Sequence, residues 1–536
     1  MNAKYPDLLF PDEFDRESKI LLDRNVIDDL ELGYIATLIC PYNTDMAFKV
    51  LTELYSDERV ALYRQDILED FMRIPQLEVQ LSESLRTINE NARSVFAKAG
   101  ATQSFFELEK SIADIESFIE CMQECHIFFQ KYGSKVRSTG LKRVFEELDK
   151  QYRSDNFNIV VNEISELKKA IGSEIRSVVF GVNLDSLMRP TQIMLLSISH
   201  DELRKKTLFD RLLGSARQAE PISEIYSRKC TDGTIDRVNE VFFSELDKLS
   251  SGYMKRFNSA IDHLYRESTS YLIQLAPQID FYLGVKRFIE RVNNLGLNMC
   301  RPKLVPLSER KFVCKDMYDP VLANKYVTFR VRDRMEVRIF TNDCSLDYSA
   351  RILILSGANN GGKTTYTRAV GVNQILAQSG LYVAASSAVI SLCSGIFTHF
   401  PKKEEIGINT SRFAEECKAF RSTIETADSH SLVLMNESLS STNPYYSGII
   451  GEELIKIFAD MGCRMIFNTH FAELSQKAES INATGYSSTV RSVYAECDKF
   501  GKPTYRIIDG LPPVTENAKF IFDKYGISYE KYKAMG

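Results

Sequence analysis

The chain has 536 residues, 44% of them apolar and 26% charged, with a formal net charge of -5. That length suffices for two or more domains with sizeable cores, and the composition is ordinary for a globular protein. A slightly acidic chain carries no global positive field, which excludes nucleic-acid attraction through overall charge but leaves room for a local basic groove. The 11 cysteines are scattered and odd in number. Cys121 and Cys125, followed by His126, form the tightest group and would share a helix face. No second half-site of Cys/His spacing accompanies them, so they read as reduced, buried thiols of a cytosolic protein. The first residues contain early acids and no apolar h-region, and no run approaches about eighteen apolar residues, so neither a secretory signal nor a membrane span is expected.

Residues 1–300 read as mostly helical. Apolar residues recur three and four apart at Ile112, Ile115, Phe118, Ile119 and Met122, which makes one face of a helix. The spacing returns at Tyr253, Phe257, Ile261 and Leu264, then at Tyr271, Leu272 and Leu275. Pro277 is expected to bend or restart that helix, which resumes through Tyr282, Val285, Phe288 and Ile289. These stripes read as core. Near residue 300, Arg301-Pro302 and Val305-Pro306 interrupt the helices, and β-like runs follow at Tyr326–Val331 and Arg338–Phe340. From Arg351 the pattern becomes apolar strand, glycine turn, helix. Ile352–Leu355, Ser431–Met435 and Arg464–Phe467 are buried-strand runs, and their alternation with helices predicts a parallel sheet covered on both faces.

The most informative string is SGANNGGKTT, from Ser356 to Thr365. It holds Gly357-x-x-x-x-Gly362-Lys363-Thr364, a full phosphate-loop pattern after an expected strand and before an expected helix. Glycines let the backbone turn and approach phosphate, so that main-chain N–H groups point inward. The segment Gly357, Ala358, Asn359, Asn360, Gly361, Gly362, Lys363, Thr364 and Thr365 is therefore expected to cradle ATP. Lys363 would meet the β- and γ-phosphates, the Thr364 hydroxyl would ligand Mg²⁺, and the following helix adds its positive end. A second strand, SLVLM, ends in Asn436-Glu437, at the edge where ligands bind in such sheets. Glu437 is the expected general base on the attacking water. Asn436 occupies the place of the usual magnesium-holding aspartate; it keeps a carbonyl oxygen and loses a charge. That loss predicts weaker metal binding and slow ATP hydrolysis. Phe467-Asn468-Thr469-His470 ends a third strand, where His470 would touch the γ-phosphate or the water.

These residues resemble the MutS family of DNA-repair ATPases. The likeness rests on GANNGGKTTYTRAVGVNQILAQSGLYVAA, Gly357 to Ala385, with Ala384 where the family has proline. It also rests on LVLMNE, which matches the family's LVLMDE except at Asn436, and on FNTHFAEL, Phe467 to Leu474. Asp319-Pro320-Val321-Leu322 is similar to the family's His-Pro-Val segment, and Thr341-Asn342-Asp343 to its Pro-Asn-Asp segment. The match is good over about Arg301 to Leu474. The helical region, including Tyr63 to Leu77, resembles the family's core and lever. The resemblance thus implies an α plus α/β protein. Residues 1–300 would form the helical core and lever, with a reduced clamp around 190–270, and residues 301–536 a phosphate-loop ATPase domain of the MutS/ABC type.

It further implies ATP and Mg²⁺ as cofactors, DNA as partner through phosphate or shape contacts, and a homodimer of paired ATPase domains in the cytoplasm. In the family a loop from the partner chain completes each site. The corresponding segment is Gly407 to Phe413, with Ser411 reaching the γ-phosphate, Asn409 in place of glycine and Arg412 in place of threonine. The same residues also read as a helix start, with Thr410 or Ser411 as cap and Glu415 in the first turn. Ser440-Ser441-Thr442-Asn443 resembles the loop that connects the two sites. Helices of core type begin within the first hundred residues, so the family's amino-terminal mismatch-recognition and connector domains are not expected. No carboxy-terminal nuclease-like domain is expected either. An ATP-gated scaffold with little hydrolysis is the alternative. An ABC-type ATPase lacks its LSGGQ-like run here, and a kinase lacks an acceptor-site motif.

Overall fold

The computed structural model describes residues 5–79, 81, 105–174, 177–188, 190–199, 223–224, 270–333, 338–358, 360–401, 412–439, 443–498, 501–513 and 533. Contacts divide the chain into two compact units. One comprises Met1–Pro75, Arg137–Leu141 and Gln278–Gly536, the other Gln76–Val136 and Lys142–Pro277.

The first unit is built on a six-stranded sheet. Its spatial order is Ile396–His399, Leu432–Asn436, Arg464–Asn468, Ile352–Gly357, Val490–Cys497, Pro503–Asp509. The first five strands are parallel and the last is antiparallel. Every residue of Leu432–Asn436 and Arg464–Asn468 is buried. That is why these strands read as unbroken apolar runs instead of alternating ones. The expected runs at Ile352–Leu355, Ser431–Met435 and Arg464–Phe467 therefore fall on strands, within a residue or two at each end. A second, four-stranded mixed sheet follows the order Lys303–Val305, Ser387–Ser391, Phe312–Met317, Asn342–Leu346. Arg464, fully buried, fastens the two sheets: its guanidinium donates to the carbonyls of Lys311, Ser391 and Leu392.

The helix Lys363–Gln378, called here the loop helix, is buried along almost its whole length. Its buried amides are paired, as burial demands. Asn373 donates to Ala369 O and accepts from the Ala384 amide; Gln378 donates to Tyr55 O and Cys393 O.

Three expectations are corrected. Tyr326–Val331 is not a strand, because the helix Pro320–Asp333 contains it. Asp319 accepts from the amides of Val321 and Leu322 at 2.9 and 3.3 Å, and Pro320 stands at the first helical position. A capping aspartate followed by proline starts a helix, and it overrides the β-leaning Tyr-Val-Thr-Phe run. Arg338–Phe340 is irregular, and the strand begins only at Asn342. The restart offered at Pro277 does not occur: one helix spans Ser270–Asn293 with the proline inside. Residues on both sides, among them Leu272, Leu275, Ile279 and Leu283, are buried, and that packing outweighs one lost backbone bond.

In the second unit the helix Phe105–Tyr132 buries Ile112, Ile115, Phe118 and Met122 as the stripe predicts. Cys121 and Cys125 lie in the same core. A hydrogen bond from Cys125 and burial push the Cys121 thiol well up. His126 pairs with Asp149 and stacks on Tyr152. An antiparallel ribbon, Ser177–Leu184 with Pro190–Ser199, departs from the helical texture. The Tyr253–Leu264 stripe and most of the expected clamp lie outside the described residues. Among the described residues no helix is long and apolar enough to cross a membrane.

Candidate functional site

The carboxyl ends of three adjacent parallel strands meet at one edge of the six-stranded sheet. Ile352–Gly357 runs into the glycine loop there, Leu432–Asn436 into Glu437, and Arg464–Asn468 into His470.

The loop needs its glycines. Gly357 has φ +114°, and a Cβ there would lie 2.8 Å from Ala495 O on the next strand. Gly362 has φ +90° and opens the loop helix. Both conformations are nearly closed to side chains. Asn360 also takes a left-handed φ, +62°. Lys363 is buried to 3% exposure, and its ammonium donates back to Gly357 O at 2.8 Å and Ala358 O at 3.0 Å. Burial holds its pKa below the ordinary lysine value, with Glu437 opposing that shift. The amine therefore spans the loop, hydrogen-bonded to neutral carbonyls that an anion would outcompete.

The Thr364 hydroxyl donates to Asn436 Oδ1 at 3.0 Å, and the Asn468 amide donates to the same oxygen at 2.5 Å. Asn436 and Asn468 are ladder partners, which places their side chains side by side at the strand ends. Two buried polar atoms at this edge, Ser356 Oγ and Asn468 Oδ1, have no hydrogen-bond partner among the described residues. The oxygens of Thr364 and Asn436 are hard, neutral donors. They suit a magnesium ion that keeps most of its ligands from phosphate and water.

Glu437 has a left-handed φ of +52°, and its N–H donates to Asn468 O at 3.0 Å. That turn carries the carboxylate out of the buried strand, and His470 Nε2 meets Glu437 Oε1 at 2.9 Å with both side chains about one-third exposed. A polarisable water could be held against this pair.

The expected residues Gly357, Ala358, Asn360, Gly361, Gly362, Lys363, Thr364 and Thr365 thus lie together with Asn436, Glu437 and His470. Asn359 and Ser411 lie outside the described residues, as do Ser440, Ser441 and Thr442. Two further contributors escape sequence reasoning. Asn468 pairs with Asn436; the clue was its matching place at the end of its own strand. Tyr505, with φ +60°, packs its ring 3.5 Å from where a Gly362 Cβ would be. Phe340 lies against it, with centroids 4.8 Å apart, and Arg338 covers Phe340. Both rings are about 40% exposed. No local pattern links positions so far apart along the chain.

Fold and site together define a mixed helical and α/β protein with a glycine loop at the carboxyl edge of a parallel sheet. The family model described as MutS domain V matches residues 353–501, and that described as MutS2 N-terminal domain matches residues 56–295. Among curated proteins, an "Endonuclease MutS2" of Thermus thermophilus is 28% identical over 193 residues, 36% of this chain and 25% of the relative. A "DNA mismatch repair protein MutS" of Thermosynechococcus vestitus is 29% identical over 253 residues, 44% of this chain and 28% of the relative. An "Endonuclease MutS2" of Halothermothrix orenii is 21% identical over 441 residues, 79% of this chain and 54% of the relative. The matches with these three relatives therefore cover a quarter to about half of the relatives' own length. The chain belongs to the MutS family.

Proposed function

We propose that the protein is an ATPase that couples ATP binding and hydrolysis to DNA binding. One observation carries this reading: the loop Gly357–Thr364, Asn436, Glu437 and His470 converge at the ends of three neighbouring strands. Lys363 leaves its two carbonyls for the β- and γ-phosphates, and the N-terminus of the loop helix faces the same anion. Thr364 and Asn436 would hold a magnesium ion through the hydroxyl and the amide oxygen. The metal, when bound, neutralises phosphate charge. Glu437 takes the proton of the attacking water, and His470 orients that carboxylate. Ser411 of a second copy completes the site when two ATPase domains pair.

The Phe340–Tyr505 pair supplies a half-exposed aromatic surface beside the loop for the purine ring. Tyr505→Ala and Phe340→Ala should each weaken ATP binding roughly tenfold, since stacking on an aromatic ring contributes about 1–3 kcal/mol per base. Binding of free triphosphate should be unaffected. Titration calorimetry with ATP and with inorganic triphosphate separates the two results, and equal losses for both ligands would remove the base from this surface.

In this reading residues 301–536 act as the ATPase domain and residues 1–300 as core and lever, with nucleotide-driven closure of a homodimer on duplex or branched DNA. Relatives named for DNA mismatch repair favour a role in repair or recombination, in the cytoplasm and on DNA. Binding should be phosphate- or shape-directed and fall steeply with salt. Fluorescence anisotropy with duplex and branched DNA, with and without ATP, tests it. No binding at low salt in either state would defeat the DNA claim. The neutral Asn436 favours a second reading, an ATP-gated clamp that hydrolyses little.

A further inference from the structure

Residues 5–55 precede both ranges matched by the family models, 56–295 and 353–501. Part of that segment nevertheless lies against the elements that carry the nucleotide site. The helices Arg24–Asp29 and Leu32–Ile39 meet at an elbow, Asp29-Leu30-Glu31, where Glu31 takes a left-handed φ of +53°. Each elbow residue touches a different part of the site's support.

Glu31 reaches the loop helix. Its Oε1 accepts from the Arg368 guanidinium at 2.8 Å, and its Oε2 pairs with Lys325. Arg368 also donates to Asp319 at 2.7 Å, and Asp319 is fully buried. Arg368 stands four residues after Thr364, one turn along the same face of the helix. Whatever fixes Arg368 therefore fixes the rotation of the helix that presents the Thr364 hydroxyl to Asn436.

Leu30 is fully buried above Gly371. A Cβ on Gly371 would come within 2.8 Å of Leu30 and 2.7 Å of Leu434 on the strand that ends in Asn436. Asp29 reaches the neighbouring strand Ile396–His399, where Thr398 is the ladder partner of Leu434. Its carboxylate accepts from Thr398 at 2.6 Å. The neighbouring His399 carbonyl accepts from the Ser438 hydroxyl at 3.0 Å, and Ser438 follows Glu437. The elbow thus ties the support of Thr364 to the support of Glu437.

We propose that Asp29-Leu30-Glu31 is a positioning element, acting in cis, that sets where Thr364 and Glu437 stand relative to each other. The proposal rests on the nucleotide reading given above. Neither carboxylate touches nucleotide; each acts through a second side chain.

The test compares the full-length chain with Glu31→Ala, Glu31→Gln, Arg368→Ala and the Glu31→Ala/Arg368→Ala double variant. Three quantities are measured: Mg²⁺ half-saturation of fluorescent-ATP binding, steady-state phosphate release, and melting temperature. Glu31→Ala and Arg368→Ala should each raise the Mg²⁺ half-saturation and lower kcat roughly three- to tenfold, as expected for coupled contacting residues. Metal-free nucleotide affinity should stay within about twofold, because the loop amides and Lys363 are untouched. The double variant should be no worse than the more severe single, as for two groups acting as a unit. Glu31→Gln, which keeps one acceptor and folds more safely, should fall in between. A lowered melting temperature with unchanged Mg²⁺ dependence and kcat would overturn the proposal, as would fully additive single effects. Those outcomes leave ATP binding by the wild-type chain intact. A wild-type chain that binds no ATP would instead defeat the nucleotide reading, and the elbow proposal with it.

Discussion

Glu437→Gln is expected to lower ATP turnover roughly 10²–10⁴-fold, the range for loss of a general base, while ATP affinity stays within about threefold. The backbone favours that role. A non-glycine residue at φ +52° stores about 1–3 kcal/mol of strain. The chain holds it there with a hydrogen bond from its N–H to Asn468 O, and the result is a carboxylate lifted from a fully buried strand onto His470. Glutamine is nearly isosteric. It keeps the contact to His470 and the turn, yet cannot take a proton from water. In the proposed reading nucleotide affinity comes from the loop amides, Lys363, the helix end and the Phe340–Tyr505 surface, none of which the substitution removes. His470→Ala should have a smaller effect, since it removes orientation but leaves the base. Steady-state phosphate release paired with equilibrium ATP binding reads both quantities. Turnover undiminished in Glu437→Gln would take the base role from Glu437.

Much of this site is legible in the chain because it is local. Gly357 to Thr365 carries its own turn glycines, its lysine and its helix start, and the strands before Glu437 and His470 announce themselves as buried apolar runs. What was not legible depends on distant contacts. Tyr326–Val331 looks like a strand to a reader of β-branched and aromatic residues, but Asp319 and Pro320 begin a helix, and Arg368 anchors the capping carboxylate. Tyr505 and Phe340 meet only once the antiparallel edge strand Pro503–Asp509 is in place. The amino-terminal elbow is the clearest case. Asp29 and Glu31 are unremarkable acids in the sequence, yet their partners Thr398 and Arg368 lie hundreds of residues on. Grouping residues 5–75 with the unit that carries the glycine loop needs three-dimensional contacts, because helical periodicity reads the same in either unit.

Asn436→Asp should produce the largest gain. The Asn436 oxygen already receives two donors, the Thr364 hydroxyl and the Asn468 amide, so a carboxylate would find both bonds made and strengthened by its charge, roughly twofold. Asn436 is only 3% exposed, so without metal that charge is desolvated and the variant should melt at a lower temperature than the native chain. With Mg²⁺ and ATP the sign reverses. The added negative charge would attract the dication held beside Thr364, and the Mg²⁺ half-saturation should fall about ten- to a hundredfold. Burial raises the pKa of a lone carboxylate, so this gain should be present at neutral pH and fade as pH falls through that raised value. The metal-free destabilisation should fade with it, because the protonated acid is neutral. Turnover decides between the two functional readings. If native turnover is negligible and Asn436→Asp restores it at least about tenfold, the missing charge is what makes the native protein a gated clamp. If both forms hydrolyse ATP briskly with the same Mg²⁺ dependence, the metal is held by phosphate, water and Thr364 alone, and Asn436 serves only to join its strand to Asn468.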